Sequence, residues 1–157
     1  MSVVEAVNRE YAQRILRPPQ LFAQLAAQPL TPIRGTTFPR TSAIYVFYQD
    51  GEAVHVGRTR NLRQRLRGHV SNSHYSASFA FKRARKATGI SATYRKGEGR
   101  ADLLKNPIFE AAFAHALAEV QDMSIRYLPV DDPIDQYLLE LYAALELGTS
   151  LSEFDTH

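Results

Sequence analysis

Two stretches in the first half of the chain are strongly apolar and rich in β-forming residues. "SAIYVFYQ" (42–49) and "EAVHVG" (52–57) contain many β-branched and aromatic side chains, and Asp50-Gly51 separates them. Runs of this kind around an Asp-Gly pair are typical of a β-hairpin. We therefore predict two antiparallel strands joined by a loop over residues 50–52.

The two faces of this hairpin follow from the positions of its valines. If Val46, Val54 and Val56 share the buried face, the loop contains an odd number of residues and the hairpin carries a bulge. Tyr45 and His55 then lie on the opposite face. This register brings a phenol and an imidazole close to each other on one side of a sheet.

Apolar residues at intervals of three and four predict helices on both sides of the hairpin. Helical spacing over 3–27 is interrupted at Pro18-Pro19, and a Pro-containing connector covers 28–40. The elements predicted after the hairpin are a helix from Asn61, with Thr59 or Asn61 as N-cap, a helix over 79–88, a short strand over 91–94, a helix over 102–120, a strand over 123–130, and a helix from Asp132-Pro133 to Gly148.

These elements predict an α+β fold with a small three-stranded antiparallel sheet flanked by helices. Residues 1–40 are interpreted as a helical extension with a Pro-rich connector, and residues 41–157 as the main domain. A chain of 157 residues without cysteine has no disulfide, Cys-ligated zinc or thiol catalyst. It contains no apolar run of about 18 residues, and Glu5 and Glu10 are untypical of a secretory signal. We expect a cytoplasmic protein without a membrane partner.

The basic residues are concentrated in one part of the chain. Between His55 and Arg100 stand 12 of the 19 Lys and Arg residues, with Glu98 as the one acidic residue. Such a concentration of positive charge indicates a polyanionic partner. A solvated basic face without any partner is the plainer alternative.

The hairpin, the basic helix and the last helix together resemble the GIY-YIG nuclease superfamily. "AIYVF" and "HVGRTRNLRQRLRGH" resemble its two signature segments, and "LLELYAALELG" resembles its glutamate-bearing helix. The most specific part is Val56 to His69, where Gly-x-Thr-x-Asn-Leu-x-x-Arg-Leu-x-x-His is complete. The resemblance covers about residues 42–155. It implies a three-stranded sheet flanked by helices that cuts nucleic-acid phosphodiester bonds with one divalent ion, Mg²⁺ or Mn²⁺.

The resemblance also implies roles for individual residues. The family's first tyrosine falls on Tyr45, its essential arginine on Arg65, the imidazole or hydroxyl four residues later on His69, and its metal-binding glutamate on Glu140. A guanidinium forks onto the phosphate oxygens where charge builds up during hydrolysis. A hard divalent cation prefers carboxylate oxygen, and a tyrosine or a neighbouring imidazole is a suitable proton acceptor for water.

The chain departs from the family pattern at three positions. Ala43 replaces the first glycine, His55 replaces the second tyrosine, and Ser152 stands where the family often has asparagine. A histidine accepts a proton near neutral pH, so we include His55 among the catalytic candidates. Glu146, on the same helix, is the alternative to Glu140.

Three functions are compatible with this pattern. The first is a metal-dependent endonuclease acting on DNA rather than RNA. The second is a nucleic-acid-binding module with weak or no cleavage, as the changes at His55 and Ser152 suggest. The third is a basic domain that docks an acidic protein. The residues expected to contact backbone phosphates are Arg58, Arg60, Arg63, Arg67, Lys82, Arg83, Arg85 and Lys86. His74 and His115 are interpreted as structural or exposed.

Overall fold

The computed structural model describes residues 8–90, 95–97 and 99–151 as an α+β fold. Its helices are α1 (Arg9–Arg14), α2 (Arg17–Ala26), α3 (Leu62–His69), α4 (Ser78–Thr88), α5 (Arg100–Leu103), α6 (Pro107–Gln121) and α7 (Pro133–Leu147). Its strands are β1 (Thr31–Pro32), β2 (Ala43–Gln49), β3 (Glu52–Thr59) and β4 (Ser124–Pro129). The sheet order is β1-β4-β2-β3, and β2 pairs antiparallel with both β3 and β4.

The predicted α+β class is confirmed, but the prediction of three strands is wrong. The connector contributes β1, a two-residue strand at the edge of the sheet beside β4. Such a short strand has no hydrophobic alternation to reveal it, and proline at an edge position has no ladder hydrogen bond to lose. The strand predicted over 91–94 and the first residues of the N-terminal helix lie outside the described residues.

The chain divides into two compact units. The sheet unit comprises Met1–Thr31, Pro39–Leu62 and Ser124–His157, and the helical unit comprises Pro32–Phe38 and Arg63–Met123. Helix α2 packs against α7 and β4 within the sheet unit, and the domain boundary predicted at residue 40 stays a prediction.

One face of the sheet carries the core of the sheet unit. Ile44, Val46 and Val56 are at most 4% exposed and pack with α2 and α7 residues. The cluster is completed by Leu25, Leu128, Val130, Leu139, Ala143 and Ala144. The small residues of α7 let this helix lie close to the sheet, which fixes the position of its other side chains.

The hairpin turn is tighter than the sequence predicts. Asp50 has φ 52° and Gly51 has φ 81°, as in the two-residue turn whose twist matches that of the strands. The predicted loop over 50–52 is therefore wrong, since Glu52 is already the first residue of β3. The register passes from Phe47↔His55 to Tyr48↔Ala53, so Val54 is the extra residue of a bulge. The bulge supplies the extra residue that places Val46 and Val56 on the same face. Val54, however, is not part of the core cluster that contains these two valines.

The helical unit is built on α4 and α6. The ring of Phe81 lies 5.0 Å from that of Phe109 and 6.1 Å from that of Phe113, centroid to centroid. The end of α4 at Gly89, with φ 71°, confirms the predicted helix. The helix predicted over 102–120 is divided, because Asn106 Oδ1 caps a new helix by accepting from Ile108 N at 2.9 Å. Pro107 takes the first position of that helix, where no N–H is needed.

The last helix begins and ends as predicted. Asp132 Oδ1 accepts from Ile134 N at 2.9 Å and from Asp135 N at 3.0 Å, and Gly148 closes α7 with φ 66°. The Asp132 carboxylate also pairs with Arg14 at 2.8 Å. The hydrogen bond from Asp135 N lowers the pKa of Asp132, desolvation opposes this shift, and the Arg14 guanidinium adds to it.

The charge of Asp132 makes part of the stability depend on pH. Because its pKa is lower in the folded protein, its contribution is complete above the unfolded pKa of about 3.9 and is lost as pH falls through the folded value. Asp132→Asn keeps a capping oxygen but removes the charge, so we expect a lower Tm at pH 7. Thermal unfolding between pH 7 and pH 2.5 should show this difference from wild type shrinking below about pH 4. Asp131→Asn, at the exposed neighbouring position, is the control; equal effects of both variants would contradict the assignment.

Candidate active-site residues

Tyr45 and His55 lie together on the face of the sheet opposite the valine core. Their ring centroids are 6.2 Å apart, and Phe47 lies 5.8 Å from the Tyr45 ring and 5.9 Å from the His55 ring. Tyr45 is 1% exposed and His55 is 8% exposed. The predicted sharing of a face is therefore confirmed, and both polar groups are held in an aromatic environment with little solvent.

Gly57 makes the position of the Tyr45 ring possible. The two residues are direct partners across β2 and β3. A Cβ atom on Gly57 would overlap Cζ and Oη of Tyr45 and lie 2.8 Å from its Cε2. The far end of the phenol thus occupies the space that a side chain at position 57 would need. Position 57 must therefore be glycine, because the Tyr45 ring occupies the space of any side chain there.

Glu140 lies on α7 and pairs with the residue that follows Gly57. Its Oε2 is 3.4 Å from Nε of Arg58, and the side chains are 11% and 35% exposed. The Arg58 guanidinium also lies over the ring of Tyr137, with its central carbon 3.7 Å from the ring centroid. Arg58 is thus held between a carboxylate and an aromatic face on one helix, an arrangement that stabilises a guanidinium.

Gln136 fixes this part of α7 to the end of β3. Its Nε2 donates to Thr59 O at 3.2 Å and to Val130 O at 2.7 Å, and the residue is 3% exposed. Gln136 and Tyr137 stand four and three positions before Glu140 and so share its side of the helix. Neither residue was predicted from the sequence, although its spacing from Glu140 places it on the same helix side.

Arg65 and His69 belong to the helical unit. Arg65 donates from its terminal nitrogens to Ser78 Oγ at 2.8 Å and to Ser76 O at 3.4 Å. His69, the last residue of α3, is fully buried. The serines that hold Arg65 were not predicted, because no spacing rule relates them to the arginine. The roles of Arg65 and His69 at a substrate stay predictions.

The remaining basic candidates have different surroundings. Arg63 donates from Nε to Phe38 O at 2.7 Å, and Arg83 pairs with Glu119 at 3.1 Å. Burial lowers the pKa of Arg85, and the charge of Arg100 adds to the effect. The exposed members of the set are Arg60, Arg67 and Lys86, and Lys82 is half-buried. The predicted phosphate contacts are therefore not one uniform basic face.

The donor chemistry around Glu140 suits a single hard cation. A carboxylate oxygen is the ligand type that Mg²⁺ and Mn²⁺ prefer, and Mg²⁺ is commonly held by one or two carboxylates with several waters. Within the described residues, no cluster of three or more His, Cys, Asp or Glu side chains is suited to a metal. A metal at this position would compete with Arg58 for the Glu140 carboxylate.

Comparison with protein-family models, with curated proteins and with solved structures found no match to this chain. None of the helices that the structure describes has the length and hydropathy needed to cross a bilayer. Ser152, the third departure from the family pattern, lies outside the described residues.

The contact between Tyr45 and Gly57 predicts a specific destabilisation. Gly57→Ala inserts a methyl group into the buried ring, and overpacking of this kind costs about 1–3 kcal/mol of unfolding free energy. In a Tyr45→Leu background the ring atoms that meet the methyl group are absent, so the same alanine should cost much less. Chemical denaturation of the four proteins measures both values. An equal cost in the two backgrounds would show that the ring is not what excludes a side chain.

Proposed function

We propose that this protein is a divalent-metal-dependent endonuclease that hydrolyses phosphodiester bonds in DNA. The observation that supports it best is the meeting of three segments, β2, β3 and α7, at Gly57-Arg58 of β3. The Tyr45 ring lies over Gly57, and the Glu140 carboxylate pairs with Arg58. The same three segments carry the resemblance to the GIY-YIG nucleases.

The proposed chemistry assigns one task to each group. Glu140 holds the divalent ion, which supplies positive charge to the phosphate oxygens as negative charge builds up on them. Arg65 donates hydrogen bonds to phosphate oxygens, a task that rests on the sequence motif. His55 or Tyr45 accepts the proton of the attacking water. The tasks of Arg65 and His69 are taken from the sequence motif, with His69 in support of the reacting groups.

A second function is favoured by the pairing of Arg58 with Glu140. A carboxylate already neutralised by a guanidinium has less negative potential to attract a cation. In this alternative the protein binds nucleic acid through its basic residues and cleaves it weakly or not at all. The burial of Tyr45, at 1% exposure, points in the same direction because substrate contact needs access to its hydroxyl group.

Cleavage of supercoiled plasmid with and without Mg²⁺ or Mn²⁺ distinguishes the two functions. We expect metal-dependent nicking by the wild type and none by Glu140→Gln. Arg65→Ala should lower the rate by about 10²–10³ because it removes a transition-state donor, while much of the DNA binding remains. Arg60→Ala should weaken binding at nearly unchanged turnover.

Ser78→Ala is the matched control for Arg65. It removes one hydrogen bond of the guanidinium, from Arg65 to Ser78 Oγ at 2.8 Å, but leaves the positive charge, so most of the cleavage should persist. If the wild type binds DNA but no metal supports nicking, the binding-module alternative is correct. If Arg65→Ala and Arg60→Ala behave alike, Arg65 is only one more phosphate contact.

Because Arg58 and a divalent ion would compete for the Glu140 carboxylate, a substitution of Arg58 tests the metal site without substrate. A pair with this exposure is worth at most about 1 kcal/mol, so removing the guanidinium should tighten Mn²⁺ binding by up to about fivefold. Titration of Arg58→Gln with Mn²⁺, followed by electron paramagnetic resonance, measures this change. Glu140→Gln should show no comparable site. Unaltered Mn²⁺ affinity in both variants would place the metal elsewhere.

A further inference from the structure

The helical unit contains a cavity that none of the proposed catalytic groups lines. It has a volume of about 340 Å³ and lies between the segment 33–38 and α3. This volume far exceeds that of a single ion and falls at the lower end of the range of about 300–1,000 Å³ for small-molecule sites. The cavity is therefore large enough for an organic ligand.

The wall of the cavity is strongly cationic. Arg34, Arg63 and Arg67 line it, and no acidic residue does. Arg63 and Arg67 are four positions apart on α3 and hence neighbours on one side of the helix. The hydrogen bond from Arg63 to Phe38 O, 2.7 Å long, uses the Nε donor and not the two terminal amino groups. The guanidinium is thus anchored while its terminal donors are kept for an anion.

Arg34, the third arginine of the cavity wall, forms an ion pair that solvent weakens. Arg34 lies 3.1 Å from Asp122, and these side chains are 67% and 73% exposed. An exposed pair of this kind contributes little, so a phosphate can replace the carboxylate. Arg67 is exposed and forms no ion pair within the described part of the chain.

The floor of the cavity is apolar. Ile33 is 6% exposed, Phe38 4% and Leu66 2%, and all three line the space. Thr36, Thr37 and Gln121 add a few polar groups at its edge. An inorganic anion would leave this floor uncovered, whereas a ligand with both a phosphate and a flat ring would use the whole lining.

We propose that this cavity binds one nucleotide, with its phosphate on the arginines and its base against the apolar floor. The nucleotide is either a free mononucleotide or one residue of a single strand, since both carry the same chemistry. The proposal does not depend on cleavage, because neither Glu140 nor Arg65 takes part. It gives Arg63 and Arg67 a defined ligand in place of a general role along the duplex backbone.

Calorimetric titration with adenosine 5′-monophosphate, adenosine, inorganic phosphate and a short oligodeoxythymidine tests the proposal. The monophosphate should bind at least tenfold more tightly than adenosine or phosphate alone. Arg67→Glu should abolish this binding by reversing a charge, and Thr37→Trp should abolish it by placing an indole at the exposed edge of the cavity, where it obstructs the ligand. Arg40→Glu makes the same charge change at an exposed position outside the cavity lining, so it should retain the affinity.

The two sources of the nucleotide give different patterns. If the free monophosphate binds, the site takes mononucleotides. A different result is expected if the ligand is one residue of a strand. In that case only the oligonucleotide binds, and Arg67→Glu and Thr37→Trp each lower its affinity tenfold more than Arg40→Glu does. The proposal is overturned if inorganic phosphate binds as tightly as the monophosphate. It is also overturned if Thr37→Trp binds every nucleotide probe with the affinity of the wild type. Plasmid cleavage by Thr37→Trp separates this result from the proposed function, since the catalytic residues are intact in that variant.

Discussion

The contact between the Tyr45 ring and Gly57 sets the arrangement of the sheet unit. The Tyr45 ring occupies space over the neighbouring strand that a side chain would fill, so Tyr45 must stand opposite Gly57. Because side chains alternate along a strand, this single pairing also places His55 beside Tyr45 and turns Val56 toward α7. A shift of one residue would reverse all of these directions and put a methyl or larger group under the phenol.

The elements with local signals could be predicted from the sequence. The hairpin follows from Asp50-Gly51, and α7 follows from the Asp132 cap and from Gly148. The features that were missed depend on geometry beyond the local pattern. The two-residue turn moves the extra residue to Val54, a choice that periodicity leaves open since both loops satisfy the same parity. The cap at Asn106 is an exception, because Asn106-Pro107 is a local signal of the same kind as Asp132-Pro133 and was overlooked between helix-forming residues.

In the candidate site, too, the contacts that follow from local pattern were predicted and those that follow from tertiary packing were not. The pairing of Tyr45 with His55 is a consequence of strand alternation, and it was predicted correctly. The partners of Arg58 and Arg65 were not, because each contact joins side chains that tertiary packing alone brings together. Spacing identifies which residues share a helix side. It carries no information about which strand or loop that side will meet.

The tertiary contacts of the motif arginines bear directly on their function. Positive charge alone suggests one continuous track for phosphates, yet Arg58 is bound to a carboxylate, Arg65 is held by two serines, and Arg63 is anchored to a carbonyl oxygen. Under the proposed function the Arg58 pair has a further consequence. If Glu140 held a divalent ion, the Arg58 guanidinium would lose its carboxylate partner, and a phosphate beside the ion would offer it a new one. Glu140 and Arg58 would then each keep an oppositely charged partner, so ion and phosphate would favour each other's binding.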